Sequence, residues 1–285
     1  MRRTLGVSER RACRALGQPR SSQRYVARKA PKDRGLAKRL ATLSRENPRY
    51  GYRRAWALLR REGWKVNIKR VQRLWREEDL KVPEKQRKRR RLAEGGSENG
   101  CTRKKAEHKD HVWSYDFVMD RTEDGRTLKM MPVVDEYSRE CLSIEVRRSI
   151  TAEEVVKTLA ALFAHRGEPA FIRSDNGPEF IAKALKCWLE ASGVRTLYIE
   201  PGSPWENAYS ETFISRFGDE LLKREVFTSV LEAKVLAEEY RNHYNQERPH
   251  SALGYRTPAA FAAACHAAGA DEELTKELES VIALS

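Results

Sequence analysis

The chain has 285 residues, 34% of them charged and 40% hydrophobic, with 55 Lys and Arg against 41 Asp and Glu and a formal net charge of +14. That length is a prior of about two domains, and the apolar content is enough for a packed core, which excludes disorder throughout. No apolar run approaches the ~18 residues of a membrane helix, the Met-Arg-Arg start leads into polar sequence rather than a secretory signal, and five scattered cysteines (Cys13, Cys101, Cys141, Cys187, Cys265) argue against a disulfide framework or a zinc site and for a reduced, cytoplasmic setting.

Residues 1–110 hold 35 Lys and Arg against 12 acids, a net of +23, while 111–285 hold 20 against 29, a net of −9. Such a surplus at one end fits a polyanion, whose phosphates release condensed counterions when neutralised; a solvated basic surface is the bland alternative. Residues 1–30 read as a basic helical segment, running from Val7-Ser8-Glu9 and breaking near Gly17-Gln18-Pro19. Over 31–82 the spacing implies three short helices. Leu36, Leu40 and Leu43 recur at helical period before Asn47-Pro48, Ala55, Leu58 and Leu59 share a face after Arg49-Tyr50-Gly51-Tyr52-Arg53-Arg54, and Asn67 is placed to cap a helix carrying Ile68, Val71, Leu74 and Trp75. Tight connections make this a helix-turn-helix module. On its third helix Lys69, Arg70, Arg73 and Arg76 lie mostly off the apolar stripe, as a recognition helix would present them, although Lys and Arg are also good exposed helix formers.

Residues 83–108 join the run Lys85-Gln86-Arg87-Lys88-Arg89-Arg90-Arg91 to a Gly/Ser/Asn stretch, the composition of a flexible basic linker. Beyond it the period changes. Trp113, Tyr115 and Phe117 alternate with Ser114, Asp116 and Val118, and two more strands are expected at Leu128–Val134 and Cys141–Val146. A helix over Ala152–His165, a strand over 170–173, a helix over about 178–192 and a strand over Val194–Ile199 follow. This order implies an α/β fold over 109–265, a mixed sheet covered by helices. Residues 266–285 read as an amphipathic helical tail on Leu274, Leu278 and Ile282.

Three carboxylates stand out by position. Asp116 lies mid-strand opposite three aromatics, where an acid is costly without a charged partner or a metal. Asp175 closes an apolar strand ahead of Asn176-Gly177-Pro178, at the carboxyl end where α/β sheets place ligands. Glu211 lies on a helix after Pro204, with Asn207 one turn earlier. Convergent carboxylates suit hard cations such as magnesium in phosphoryl transfer. Taken singly, Asp175 also suits a helix cap and Glu211 an exposed face.

The words around these acids, Trp113-Ser114-Tyr115-Asp116-Phe117, Ser174-Asp175-Asn176-Gly177-Pro178-Glu179-Phe180 and Pro204-Trp205-Glu206-Asn207-Ala208-Tyr209-Ser210-Glu211-Thr212-Phe213, resemble the integrase core of DDE transposases. Within that superfamily, which includes retroviral integrases, the match is closest to OrfB, the second-reading-frame product of the IS-three family of bacterial insertion sequences. Tyr240-Arg241-Asn242-His243-Tyr244-Asn245 and Arg248-Pro249-His250-Ser251-Ala252-Leu253-Gly254-Tyr255, with Thr257-Pro258, resemble its C-terminal motif, and Tyr50 to Arg54 with Lys69 to Leu74 its helix-turn-helix.

The resemblance implies an RNase H-like five-stranded mixed sheet flanked by helices, with Asp116, Asp175 and Glu211 as catalytic ligands of two Mg²⁺ ions (or Mn²⁺). It implies cleavage of double-stranded DNA at element ends and joining to a target without a covalent protein intermediate. It also implies work as a homo-oligomer and with the upstream-frame OrfA product or as an OrfA-OrfB fusion, with no membrane involved. Arg53, Arg54, Lys69, Arg70, Arg73, Arg76, Asn176 and Asn207 are the expected DNA contacts. Asp135 with Ser138-Arg139 matches a family turn that turn chemistry alone also explains, and His250 falls in a matched motif, to approach the site or merely to pack. One position departs from the family, which carries Lys or Arg seven residues after the catalytic Glu. Gly218 stands there, and Arg216 points elsewhere on an ideal helix, so either weaker end binding or a helix stopping near 217 is expected. Two other readings are a DNA-binding regulator built on an inactive transposase relic, toward which Gly218 points, and a structure-selective nuclease, which should lack the C-terminal motif.

Overall fold

The computed structural model describes residues 6–24, 30–82, 104–174, 183–198 and 207–265, and the chain divides into two compact units, Met1–Lys85 and Gln86–Ser285. Most of the expected linker, 83–103, and all of the expected tail, 266–285, lie outside the described residues.

In the first unit α1 (Glu9–Ala15) begins at Ser8, whose hydroxyl accepts the Arg11 N–H, and α2 (Arg20–Gln23) is a single turn. Then come α3 (Ala30–Glu46), α4 (Tyr52–Arg61) and α5 (Ile68–Glu77). Asn67 caps α5 as its side chain demands, Oδ1 accepting the Lys69 N–H at 2.8 Å. Gly63, at φ +85°, turns the chain out of α4 in a conformation that side-chain-bearing residues resist. Leu36, Leu40 and Leu43 meet Ala55, Leu59, Val71, Leu74 and Trp75 in one apolar cluster, so the helical spacing of the apolar residues is the packing interface itself.

The second unit is a mixed sheet of β1 (Val112–Tyr115), β2 (Val118–Arg121), β3 (Thr127–Asp135), β4 (Cys141–Arg147), β5 (Phe171–Ser174) and β6 (Arg195–Tyr198). β1 and β2 pair antiparallel with β3 in one continuous register, so these six strands occupy five positions: β4, β3, β1 with β2, β5, β6. β5 lies parallel to β1 and β6 parallel to β5. α6 (Ala152–Arg166), opened by a Thr151/Glu154 capping box, and α7 (Lys183–Ala191) cover one face. There Trp113, Tyr115, Met131, Val133 and Ile172 pack on Leu159, Phe163, Leu185 and Leu189. α8 (Ala208–Phe217) and α9 (Val230–Gln246) cover the other face, where Val118, Leu128, Met130 and Val146 pack on Phe213, Phe217, Tyr240 and Tyr244. Burying each such aromatic stabilises the sheet–helix sandwich, and truncating one to Ala costs about 3–5 kcal/mol.

Candidate active site

Asp116 is not mid-strand. The ladder lapses at Asp116-Phe117, between β1 and β2. The register that pairs Tyr115 with Val133 and Val118 with Met130 sets Asp116 opposite Pro132, which has no N–H to give. Pro132 is the sequence signal that would have located the break. Asp116 is half-buried. Its Oδ1 accepts the Phe117 N–H at 2.7 Å, and its Oδ2 accepts Nδ2 of Asn207 at 3.3 Å.

Asn207 is the N-cap residue of α8 and is only 3% exposed. Its side chain does not cap the helix but reaches across to Asp116, leaving Oδ1 buried with no hydrogen-bond partner. Glu211 lies one turn further along α8 and is exposed. Phe213 and Phe217, on the buried face of the helix, anchor it to the sheet. Asp175 and Asn176 lie outside the described residues; the strand that leads to them, β5, ends at Ser174 and runs parallel beside β1. Among the described residues no three His, Cys, Asp or Glu gather around a common point. The donors at hand, a half-buried and an exposed carboxylate, are hard oxygens of the kind magnesium takes, and the Asn207 Oδ1 adds an unsatisfied oxygen beside them.

The C-terminal motif braces α8 and the sheet. Arg248, 1% exposed, donates from Nε and Nη2 to the two carboxylate oxygens of Glu220 at 2.7 Å each. Glu220 lies in a π-helical turn, Gly218–Leu222, that continues α8. Asn245 clamps the backbone of Cys141 in β4, its Oδ1 accepting the Cys141 N–H at 2.9 Å and its Nδ2 donating to the Cys141 carbonyl at 2.8 Å. His250 shares a 3.3 Å hydrogen bond with the Tyr244 hydroxyl, whose pKa is pushed up to about 12 by burial, so His250 packs in this layer. Gly218 has helical φ and ψ, and an added Cβ there would meet nothing within 4 Å. The α-helical pattern does end at 217, but it passes into the wide turn rather than into coil. Arg216 does not replace the missing cation: burial lowers its pKa, with the charge of Arg248 next, which places it toward the Arg248–Glu220 pair.

In the first unit Asp33, buried in the first turn of α3, accepts Nε of Arg70 at 2.7 Å and Nη2 of Arg73. These hydrogen bonds, that of Arg73 first, hold its carboxyl below the usual range despite burial. Arg70 and Arg73, expected on DNA, tie α5 to α3 through Asp33 while 38% and 44% of their side chains stay exposed. Lys69 and Arg76 are exposed. Arg53 lies beside Tyr52, donating to its hydroxyl at 3.2 Å, and Arg54 stands over the Tyr50 ring at 5.1 Å.

Two family models described as integrase core domain match residues 106–204 and 192–258, and one described as HTH-like domain matches 31–90. An uncharacterized 31.7 kDa protein of insertion element IS407 from Burkholderia multivorans is 40% identical over 277 residues, covering 95% of this chain and 96% of its own. A 39.2 kDa uncharacterized protein of insertion element IS476 from Xanthomonas euvesicatoria is 40% identical over 257 residues, covering 90% and 73%. Transposase InsD of insertion element IS2 from Escherichia coli is 28% identical over 235 residues, covering 76% and 74%.

Proposed function

From the premise that this chain belongs to the DDE transposases of bacterial insertion sequences, we propose that Asp116, Asp175 and Glu211 are the residues with which it cleaves and joins DNA. The enzyme is a polynucleotidyl transferase of a metal-dependent superfamily. The observation that carries the assignment of the acids is the Asn207–Asp116 hydrogen bond, which ties the first turn of α8, with Glu211 in it, to the end of β1.

Water attacks a phosphodiester phosphorus at the element end and loses its proton as the bond to the 3′ oxygen breaks. The freed 3′ hydroxyl then attacks a target phosphodiester, so one P–O bond forms as another breaks and no protein nucleophile is needed. Two bound Mg²⁺ ions, or Mn²⁺, would supply charge for the attacking and leaving oxygens. Asp116, Asp175 and Glu211 would hold them. Asn207 holds one Asp116 oxygen in place.

Lys69 and Arg76 on α5, with Arg53 and Arg54 on α4, are the proposed DNA contacts of the helix-turn-helix, and Asn176 is proposed to let the backbone approach DNA. The chain is further proposed to act in the bacterial cytoplasm as a homo-oligomer on element ends and target, with an upstream-frame OrfA partner or fusion. The test is strand cleavage and transfer on DNA carrying the element ends with Mg²⁺, comparing wild type with Asp116→Asn, Asp175→Asn and Glu211→Gln. Each substitution is expected to abolish both steps while DNA binding persists; activity surviving any of them removes that residue from the site.

A further inference from the structure

We propose that Arg139 is a positioning residue for Glu211, acting through Tyr209. The proposal rests on the reading of Glu211 as a reacting carboxylate and assigns work to a turn that local turn chemistry otherwise explains. Asp135, at the end of β3, is fully buried, and its carboxylate accepts the Ser138 N–H at 2.9 Å and the Ser138 hydroxyl. The Asp135 carbonyl accepts the Arg139 N–H at 2.9 Å, closing the turn. Arg139 sits at φ +66°, in the left-handed region that side-chain-bearing residues rarely adopt. From there its guanidinium carbon stands 3.7 Å from the centroid of the Tyr209 ring.

Tyr209 belongs to the first turn of α8, two residues after Asn207 and two before Glu211. At 100° per residue, Tyr209 and Glu211 project roughly 200° apart, so a plane pressed on one sets the direction of the other. The burial agrees, Tyr209 being half-buried and Glu211 exposed. This turn has no side-chain N-cap bond to hold it: the Asn207 side chain is turned toward Asp116, to which Nδ2 donates, and its Oδ1 accepts from no helix N–H. A cation beside a helix N-terminus opposes the macrodipole, so helix stability alone is a poor reason for Arg here. A planar guanidinium lying on an aromatic ring restrains both planes in orientation, which a lysine ammonium does not.

The experiment uses the full chain with Arg139→Lys, Tyr209→Leu, the double variant and Tyr209→Phe, with Glu211→Gln as reference. Three readings are taken: single-turnover cleavage at saturating DNA, DNA affinity by fluorescence anisotropy, and Mn²⁺ binding by calorimetry. Tyr209→Phe is expected to match wild type. Arg139→Lys and Tyr209→Leu are each expected to cleave about tenfold more slowly, about 1.4 kcal/mol in the barrier, and to weaken Mn²⁺ binding, with DNA affinity within about twofold. The double variant should be no slower than either single one. Rates equal to wild type while Glu211→Gln is dead would overturn the proposal and leave the site reading intact. A loss confined to DNA affinity would make Arg139 a phosphate contact and overturn it as well. So would a loss that follows melting temperature and disappears on cooling. Activity in Glu211→Gln would instead remove the site reading, and this proposal with it.

Discussion

Replacing Arg248 by Met tests whether the C-terminal motif works as a strut under α8. The guanidinium is 1% exposed and makes two 2.7 Å bonds to Glu220, with the Tyr240 hydroxyl adding a third at 3.4 Å. Met keeps much of the apolar stem, so the substitution removes the charge more than the volume. Glu220, whose side chain is 11% exposed, then keeps its charge with the Tyr240 hydroxyl but without the guanidinium. Unpairing a buried ion pair costs about 3–5 kcal/mol. At about 2–4 °C per kcal/mol for a unit of this size, the melting temperature of the catalytic unit falls by roughly 6–20 °C. Adding Glu220→Leu removes the stranded charge, and the double variant recovers most of the loss. Differential scanning calorimetry of the full chain reads both values. A single variant melting within about 2 °C of wild type, or a double variant no better than the single one, would refute the reasoning.

Acid should loosen the helix-turn-helix through Asp33. Its folded pKa lies below the ordinary aspartate value, held there by hydrogen bonds from Arg73 first and Arg70. The stabilisation is therefore complete above that value and disappears as pH falls through the lower folded value. Chemical denaturation at several pH values should show wild type and Asp33→Asn converging in strongly acid solution; a gap independent of pH contradicts it. Gly218→Arg is expected to fold, since the position is helical and open, and to raise affinity for element ends by placing a cation two turns beyond Glu211; unchanged affinity and joining remove the argument. Lys69→Ala should lower the salt slope of DNA binding by about one, whereas Arg70→Ala should chiefly lower stability through Asp33. Equal effects of the two on the slope would erase the distinction.

What was legible in the sequence was what a local period or a single side chain decides. Val71, Leu74 and Trp75 face inward because their spacing is helical, Asn67 caps because an amide precedes an apolar run, and Trp113, Tyr115 and Phe117 share a face because strands alternate. The break at Asp116 was hidden because it depends on Pro132, across the ladder. The bonds of Arg70 and Arg73 to Asp33 were hidden because that partner is 37 and 40 residues away in sequence. Asn207 was placed one turn from Glu211 by spacing alone, but its bond to Asp116 spans 91 residues. The words surrounding the acids carried the family; pairings between distant segments needed coordinates.

The wide turn at Gly218–Leu222 bears on how sequences of this kind are compared. A π-turn accommodates one residue more than the α-helical path would need. In a relative with one residue fewer between the positions of Glu211 and Glu220, a plain α-helical path would serve and the residues beyond it would keep their facing. The acid aligned with Glu220 would then still meet the arginine aligned with Arg248. A one-residue gap in this stretch is therefore compatible with the same brace, and the identity of the aligned letters decides whether a relative can make it.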